Sequence, residues 1–475
     1  MITTTATRLG TSPAGAQYIR MTSFDDERPS SDYPRSRSQS LSLQKTALDA
    51  SRRLSVSTVS GSKGNGSSKD KAHAGSRSRS STYGRNSRAA QSFSRHDEHH
   101  TGFFLFNLIL MLYDEYKAAS KDGNSLVGIR VGYRPTLRKF RHLSTFAKAN
   151  VALCTFVFLL VLYVIPVHLF FKLLIAAALV TVSTVPVLSQ FFFYAMPVLS
   201  WVFFFFSASK FPQSWRPPIS VKVLPAMENI LYGDNLSNIL AAYHNTFFDL
   251  LAWLPYGIIH FCGPFVVAAL IWLFGPPTAL RYFSWSFGYM NLLGVLMPQL
   301  TPAAPPWYKN LYGLHAANYS MSGSPGGLGR IDKLFGFDMY TSTFSNSPII
   351  FGALPSLHSA CSTMSALWLS YLFPKFKLCF IGYVCWLWWA TMYLTHHYFF
   401  DVTTGTAMAI TFFYMVKLTY LPVRDPRCWC RFNYTDIKTY DLLGNDPLAD
   451  QVNDDSNSGE VLETTIPKIS SEMVV

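Results

Sequence analysis

Long apolar segments dominate the chain from about residue 149 onward. Most of them approach the roughly 20 residues that a helix needs to cross a bilayer. They lie near 149–165, 167–187, 190–208, 250–274, 282–299, 357–374, 379–396 and 401–420. Because several are short, the pattern predicts an all-α, polytopic membrane bundle of six to eight transmembrane helices.

The segments on either side of this region have a different composition. Residues 1–102 are rich in Ser, Arg and Gly, and such a segment cannot bury enough apolar surface to offset the entropy of ordering. We expect a disordered, basic cytosolic tail there. Residues 103–148 are predicted to hold an interfacial helix, since their apolar run is too short to cross, and a basic juxtamembrane segment. The transmembrane domain is then 149–422, and the polar residues 423–475 form an acidic cytosolic tail.

The net charge of +13 comes entirely from the first 148 residues, which hold 24 Lys and Arg against 11 Asp and Glu. Charged residues make up only 14% of the chain, against about 25% in soluble domains. The low charged fraction therefore argues against an ordinary soluble enzyme. The basic excess belongs to a tail, so it does not indicate a nucleic-acid partner of the folded part.

Basic residues also predict the orientation of the bundle. Arg138, Lys139 and Arg141 precede the first apolar segment, and Arg424 and Arg427 follow the last. Because basic residues favour the cytosolic side of a membrane, both termini are predicted to be cytosolic. The loops 209–249 and 300–356 then face the lumen.

Two polar motifs lie at the ends of apolar segments, where ionisable residues usually have a function. Ser356 and His358 begin one segment, and His396, His397 and Asp401 lie between the last two. Two crossings separate the motifs, so both are expected at the lumenal face. A histidine oriented by a carboxylate is a good nucleophile, and a second histidine can donate and accept a proton. This combination favours phosphoryl transfer through a phosphohistidine.

Less specific roles are open for each of these residues. An isolated histidine at this depth is more often a polar residue at the headgroup level than a catalyst. Ser356 has the position of a helix cap, and His396 is expected to be a neighbour of the reacting groups and not a participant.

The two motifs resemble those of the type 2 phosphatidic acid phosphatase superfamily, and more closely those of the fungal inositol phosphorylceramide synthases. The likeness covers most of residues 150–440. It is carried by Arg216-Pro217-Pro218, Tyr232-Gly233-Asp234-Asn235, Ala304-Pro305-Pro306-Trp307-Tyr308, Gly323-Ser324-Pro325-Gly326-Gly327 and Tyr393-Leu394-Thr395-His396-His397-Tyr398. Leu357 replaces a glycine of the phosphatase motifs, and Ala390 and Thr391 replace their Ser-Arg pair.

The resemblance implies a phosphatidic acid phosphatase type 2-like core, and it makes 149–422 the catalytic domain. It implies that phosphoinositol passes from phosphatidylinositol to ceramide, with His397 as nucleophile, Asp401 orienting it and His358 as acid and base. Substrate-binding candidates are Arg216, Ser356, Arg330 and Lys333. No metal or other cofactor is implied.

The family also implies partners and a location. The partners are phosphatidylinositol, ceramide, the surrounding membrane lipids and a small regulatory membrane subunit, and the location is the Golgi membrane. Two alternatives remain open: a lipid phosphate phosphatase of the same superfamily, in which water replaces ceramide, and a non-catalytic membrane protein.

Overall fold

The computed structural model describes residues 104–122, 133–134 and 143–434, and within them the chain is a bundle of α-helices. In chain order the helices are α1 (Phe104–Lys121), α2 (Thr145–Val164), α3 (Leu169–Thr184), α4 (Pro186–Phe192), α5 (Met196–Ser207), α6 (Val223–Tyr232), α7 (Leu236–Ala242), α8 (Thr246–Trp253), α9 (His260–Phe274), α10 (Ala279–Leu300), α11 (Pro306–Tyr312), α12 (Leu328–Phe335), α13 (Met339–Ser345), α14 (Leu357–Leu372), α15 (Lys377–Tyr393) and α16 (Phe399–Thr419). The described residues form no β-strand, only two isolated bridges that join Ala303 to Ser220 and to Gly352. The predicted all-α class is confirmed.

Three stretches of helix are long and apolar enough to cross a membrane: α2, the continuous stretch Thr246–Phe274 that contains α8 and α9, and α16. Helices α3 and α4 together would make a fourth, but the chain bends by 93° between them. These spans are those of a membrane protein. The count of six to eight stays a prediction, because α14 and α15, with 16 and 17 residues, are shorter than these spans.

The largest cluster of buried apolar side chains among the described residues fills the space between α10, α14 and α16. Tyr282, Met290, Met364, Trp368 and Phe413 are nearly inaccessible there. The indole of Trp368 donates a hydrogen bond of 3.2 Å to Oγ of Ser286 on α10, so the one polar atom of this large side chain is satisfied. This core fixes α14, which carries His358, against its neighbours.

Helices α14 and α16 also approach each other closely through polar and small residues. The hydroxyl of Ser359 on α14 donates to the carbonyl of Val402 on α16 at 2.7 Å. A β-carbon built on Gly405 would lie 2.2 Å from the carbonyl oxygen of Ser356. Only a glycine fits where α14 and α16 pass each other. Gly405 therefore allows the two predicted motifs to lie this close together.

We expect Gly405→Ala to lower the free energy of unfolding by about 1–3 kcal/mol, the usual effect of overpacking. The new methyl group would meet backbone, which cannot move aside as a side chain can. Gly382→Ala on α15 is the control, since a β-carbon there meets nothing within 4 Å. Thermal unfolding of both purified variants checks this, and equal midpoints would contradict the close approach.

Two segments connect the helices at the end of the bundle where α14 begins and α15 ends. We call 208–245 and 301–356 the capping segments; they contain the short helices α6, α7, α11, α12 and α13. They correspond to the loops predicted to be lumenal.

The predicted interfacial helix is present as α1, whose position at a membrane surface stays a prediction. It packs on the chain that follows α16: the rings of Tyr116 and Phe432 are 5.6 Å apart, and Asn433 donates to Glu115 at 2.9 Å. The predicted tails, 1–102 and most of 423–475, lie outside the described residues.

Candidate active site

The first motif forms the beginning of α14. Ser356 is the N-cap: its hydroxyl accepts from the backbone N–H of Ser359 at 3.3 Å, and its own N–H donates to the carbonyl of Asp401 at 3.1 Å. Ser356 is fully buried. Its hydroxyl is thus occupied by the helix cap, and its role in substrate binding remains a prediction.

The second motif lies on a short loop between α15 and α16, and the capping segments hold this loop. The N–H of Trp307 donates to the carbonyl of Thr395, and the N–H of Gly327 to the carbonyl of Leu394, each at 2.9 Å. Thr395 has a φ of 63°, which is unusual for a β-branched residue. The Pro- and Gly-rich strings of the sequence therefore serve to position this loop.

The loop brings His397 against the start of α14, so the two motifs meet as their separation by two crossings predicts. Nδ1 of His358 lies 3.1 Å from Nε2 of His397. On its other side, Nδ1 of His397 lies 3.3 Å from Oδ1 of Asp401, in contact but without the alignment of a hydrogen bond. The second carboxylate oxygen of Asp401 accepts from the N–H of Tyr398 at 3.1 Å.

This order of groups assigns a role to each nitrogen. A proton on Nδ1 of His397 faces the carboxylate, which leaves the lone pair of Nε2 exposed toward His358. The N–H of His358 then donates to that lone pair. Nitrogens 3.1 Å apart leave no space for another atom between them, so the two rings would have to separate before any group bonded to Nε2 of His397.

Two further aromatic residues belong to the cluster, and the sequence analysis did not identify them. The ring of Tyr256 stacks on His358 with centroids 4.4 Å apart, and the ring of His260 lies 4.5 Å from it. Tyr256 lies in a π-helical turn, Leu254–Ile259, that joins α8 to α9. The available signal was a histidine inside an apolar span, which is costly without a function.

The contacts of His396 are with a carbonyl group and two aromatic rings. They agree with the expectation that His396 is a neighbour of the reacting groups. Its Nε2 is 3.1 Å from the carbonyl of Pro325. Its ring stacks on Tyr256 and Phe344, with centroids 5.2 and 4.6 Å away. It thus ties the loop to a capping segment.

Arg330 pairs with a buried carboxylate and is therefore not a solvated loop charge. Its guanidinium makes two hydrogen bonds of 2.6 and 2.9 Å to one oxygen of buried Asp249, which also accepts from Tyr393 at 2.8 Å. Burial alone would lower the pKa of Arg330, but the hydrogen bonds and charge of Asp249 raise it overall. The pair joins α12 to α8 through Nε and Nη2 of the guanidinium. A substrate-binding role for Arg330 remains a prediction.

We expect Arg330→Ala to lower the free energy of unfolding by about 1.5–3 kcal/mol, because a charge-assisted hydrogen bond is lost and Asp249 stays buried without its partner. Lys333→Ala is the control, since Lys333 is exposed on the same helix. Thermal unfolding in detergent measures both. A double variant that adds Asp249→Asn should lose less than the sum of the single losses; strictly additive losses would contradict the pairing.

The structure does not bring the other two substrate-binding candidates into contact with the histidines. The guanidinium of Arg216 donates to the carbonyls of Ala208 and Ser209 and lies 5.0 Å from the ring centre of Tyr319. Lys333 is exposed. Both assignments remain predictions.

Glu228 on α6 is a further buried group that the sequence did not reveal. Its carboxylate accepts from the N–H of Phe400 at 2.8 Å, at the first turn of α16. Burial, together with the nearby charge of Asp401, raises the pKa of Glu228. It holds the start of the helix that carries Asp401.

Nothing in the described ranges resembles a metal centre: no three His, Cys, Asp or Glu side chains are grouped so that they could hold an ion.

The chain is similar in sequence to several known proteins. The sequence model of the PAP2 superfamily matches residues 221–415, which include both motifs. The inositol phosphorylceramide synthase of Candida albicans is 59% identical over 289 residues, or 61% of each chain. The catalytic subunit of the Saccharomyces cerevisiae enzyme is 57% identical over 289 residues, which are 61% of this chain and 72% of that protein.

The Schizosaccharomyces pombe catalytic subunit is 50% identical over 52% of this chain and 59% of its own length. The matched part of this chain thus spans about three fifths to three quarters of these relatives. No solved structure is significantly similar. The chain belongs to the inositol phosphorylceramide synthase family.

Proposed function

We propose that this protein transfers phosphoinositol from phosphatidylinositol to the primary hydroxyl of ceramide and releases diacylglycerol. The carrying observation is the continuous line of groups from Asp401 through His397 to His358. Relatives named inositol phosphorylceramide synthases support the choice of substrates.

In the first half of the reaction, Nε2 of His397 attacks the phosphorus, and the bond from phosphorus to the diacylglycerol oxygen breaks. The carboxylate of Asp401 stabilises the positive charge that forms on His397. His358 enters protonated, favoured by the negative charge of the phosphodiester, and its proton goes to the departing oxygen. The products are diacylglycerol and a phosphoinositol group bound to His397.

In the second half, His358 is neutral and accepts the proton of the ceramide hydroxyl. The ceramide oxygen attacks phosphorus, and the bond from phosphorus to Nε2 of His397 breaks. His397 and His358 return to their starting protonation states, so the two half-reactions balance.

Arg216 is the proposed clamp for the phosphate charge. Its Nε is buried and has no hydrogen-bond partner among the described residues. We expect Arg216→Lys to slow transfer by roughly one to two orders of magnitude, because Lys keeps the charge but loses the planar arrangement of donors. Initial rates at equal protein level measure this, and Lys222→Arg, at an exposed position, is the control. A wild-type rate in Arg216→Lys would remove Arg216 from the site.

A lipid phosphate phosphatase is the second candidate, and the PAP2 superfamily match supports it. The same histidines would then pass the phosphoryl group to water. Ala390 and Thr391 are both fully buried and replace the Ser-Arg pair of the phosphatases, so no arginine is present at that position to bind a phosphate.

The proposed location is the Golgi membrane, with the capping segments lumenal and both termini cytosolic. The Saccharomyces cerevisiae relative is named a catalytic subunit, which supports a second, regulatory membrane subunit as partner here.

Labelled phosphatidylinositol and ceramide, incubated with the purified protein, test the function. We expect labelled inositol phosphorylceramide. Free inositol phosphate in its place would indicate the phosphatase, and no product at all would contradict both enzymes.

A further inference from the structure

A cavity of about 350 Å³ lies between α9, α14 and α15. His260 forms one end of it, and from Cys361 to Leu369 on α14 it extends about 12 Å along the helix, at 1.5 Å per residue. Of the described residues that line it, none is Asp, Glu, Lys or Arg. The cavity is therefore an apolar shaft that begins at a histidine and leads away from the capping segments.

One side of the cavity is open. Ile258, Cys262 and Val266 line it at steps of four residues, and all three are exposed on the surface of the bundle. In a membrane this surface faces lipid, so a hydrocarbon chain can enter sideways without passing through water. We call this feature the chain groove.

The end of the chain groove at His260 adjoins the candidate active site. His260 lines the groove, and its ring is 4.5 Å from that of His358. A molecule that fits both places has a polar group at His358 and an apolar chain below it. Membrane lipids have this form.

We propose that the chain groove holds one hydrocarbon chain of whichever lipid has its reacting oxygen at His358: diacylglycerol in the first half-reaction and ceramide in the second. The proposal rests on the function proposed above. The other chain of each lipid remains in the bilayer.

The stereochemistry of displacement at phosphorus supports a shared groove. The entering and leaving atoms lie roughly in line on opposite sides of phosphorus. His397 occupies one side in both half-reactions, so the diacylglycerol oxygen leaves from the place that the ceramide oxygen later takes. His358 adjoins this place in each case. Diacylglycerol must therefore vacate the groove before ceramide enters it.

Burial in the groove gains little hydrophobic energy, because the bilayer is equally apolar. The groove acts by orientation: a chain that cannot enter pulls the reacting oxygen out of line. Displacements of about 1 Å can reduce rates by up to 100-fold.

Val266→Trp tests the proposal by filling the open side of the groove. Val266 is 54% exposed, so the larger ring displaces no buried neighbour, and Phe265→Trp is the control on the adjacent, 79% exposed position, which does not line the groove. Transfer is measured with long-chain and short-chain forms of both phosphatidylinositol and ceramide. We expect Val266→Trp to lower kcat/KM roughly tenfold or more for the long-chain form of each lipid, and to leave the short-chain pair near wild type.

Unchanged rates with long chains, or a loss confined to one of the two lipids, would overturn the shared groove. Should Val266→Trp not fold, Leu369→Trp narrows the groove from α14 and is judged in the same way. A wild-type protein that makes no inositol phosphorylceramide would instead contradict the proposed function, and this is seen before any variant is compared.

Discussion

His397→Gln is expected to lower transfer by about four orders of magnitude or more, because it removes the atom that would bond to phosphorus. Gln is similar in size and can still donate a hydrogen bond toward Asp401, so the helix start should persist. The measurement is product formation from labelled phosphatidylinositol, with the thermal midpoint as a check on folding.

His396→Gln is the matched control for this experiment. His396 is the adjacent residue, equally buried, and contacts a carbonyl and two rings but neither His358 nor Asp401. Its variant should retain most of the activity. If the two variants lose activity equally, His397 is not the nucleophile.

His358→Gln is expected to slow transfer by about 10²–10⁴-fold, the usual contribution of a general acid or base. The loss should depend on the leaving group. With a nitrophenyl ester of phosphoinositol, whose leaving group needs no proton, the first half-reaction should return close to the wild-type rate.

The second half-reaction of the same variant still lacks its base. Nitrophenol should therefore appear in an initial burst of one molecule per protein, followed by slow turnover, and a phosphohistidine should accumulate. An equal loss with both donors would show that His358 does not protonate the leaving oxygen.

The sequence predicted the last three helices and the meeting of the motifs. Unbroken apolar runs placed α14, α15 and α16 within a few residues, because burial in lipid requires a long apolar segment and leaves few alternatives. Two predicted crossings separate His358 from His397, and an even number predicts that the two residues share a face.

Contacts between distant segments were not predictable in the same way. Asp249 and Arg330 are separated by 81 positions. No sequence motif indicates that these two residues form a pair. Tyr256, which stacks on His358, lies in a π-helical turn. The periodicity of apolar residues in the sequence does not show such a turn. The 93° bend between α3 and α4 was likewise not predicted, because the boundary between the segments 167–187 and 190–208 falls inside α4.

The left-handed conformation of Thr395 affects how the protein unfolds. A β-branched residue at a φ of 63° raises the local free energy by roughly 1–3 kcal/mol, and the hydrogen bonds from Trp307 and Gly327 to this loop oppose its relaxation. The loop therefore depends on the capping segments as well as on the buried contacts of Leu394. On heating, it should detach as a separate cooperative unit while the spanning helices remain folded, so that the protein passes through a membrane-embedded but inactive form.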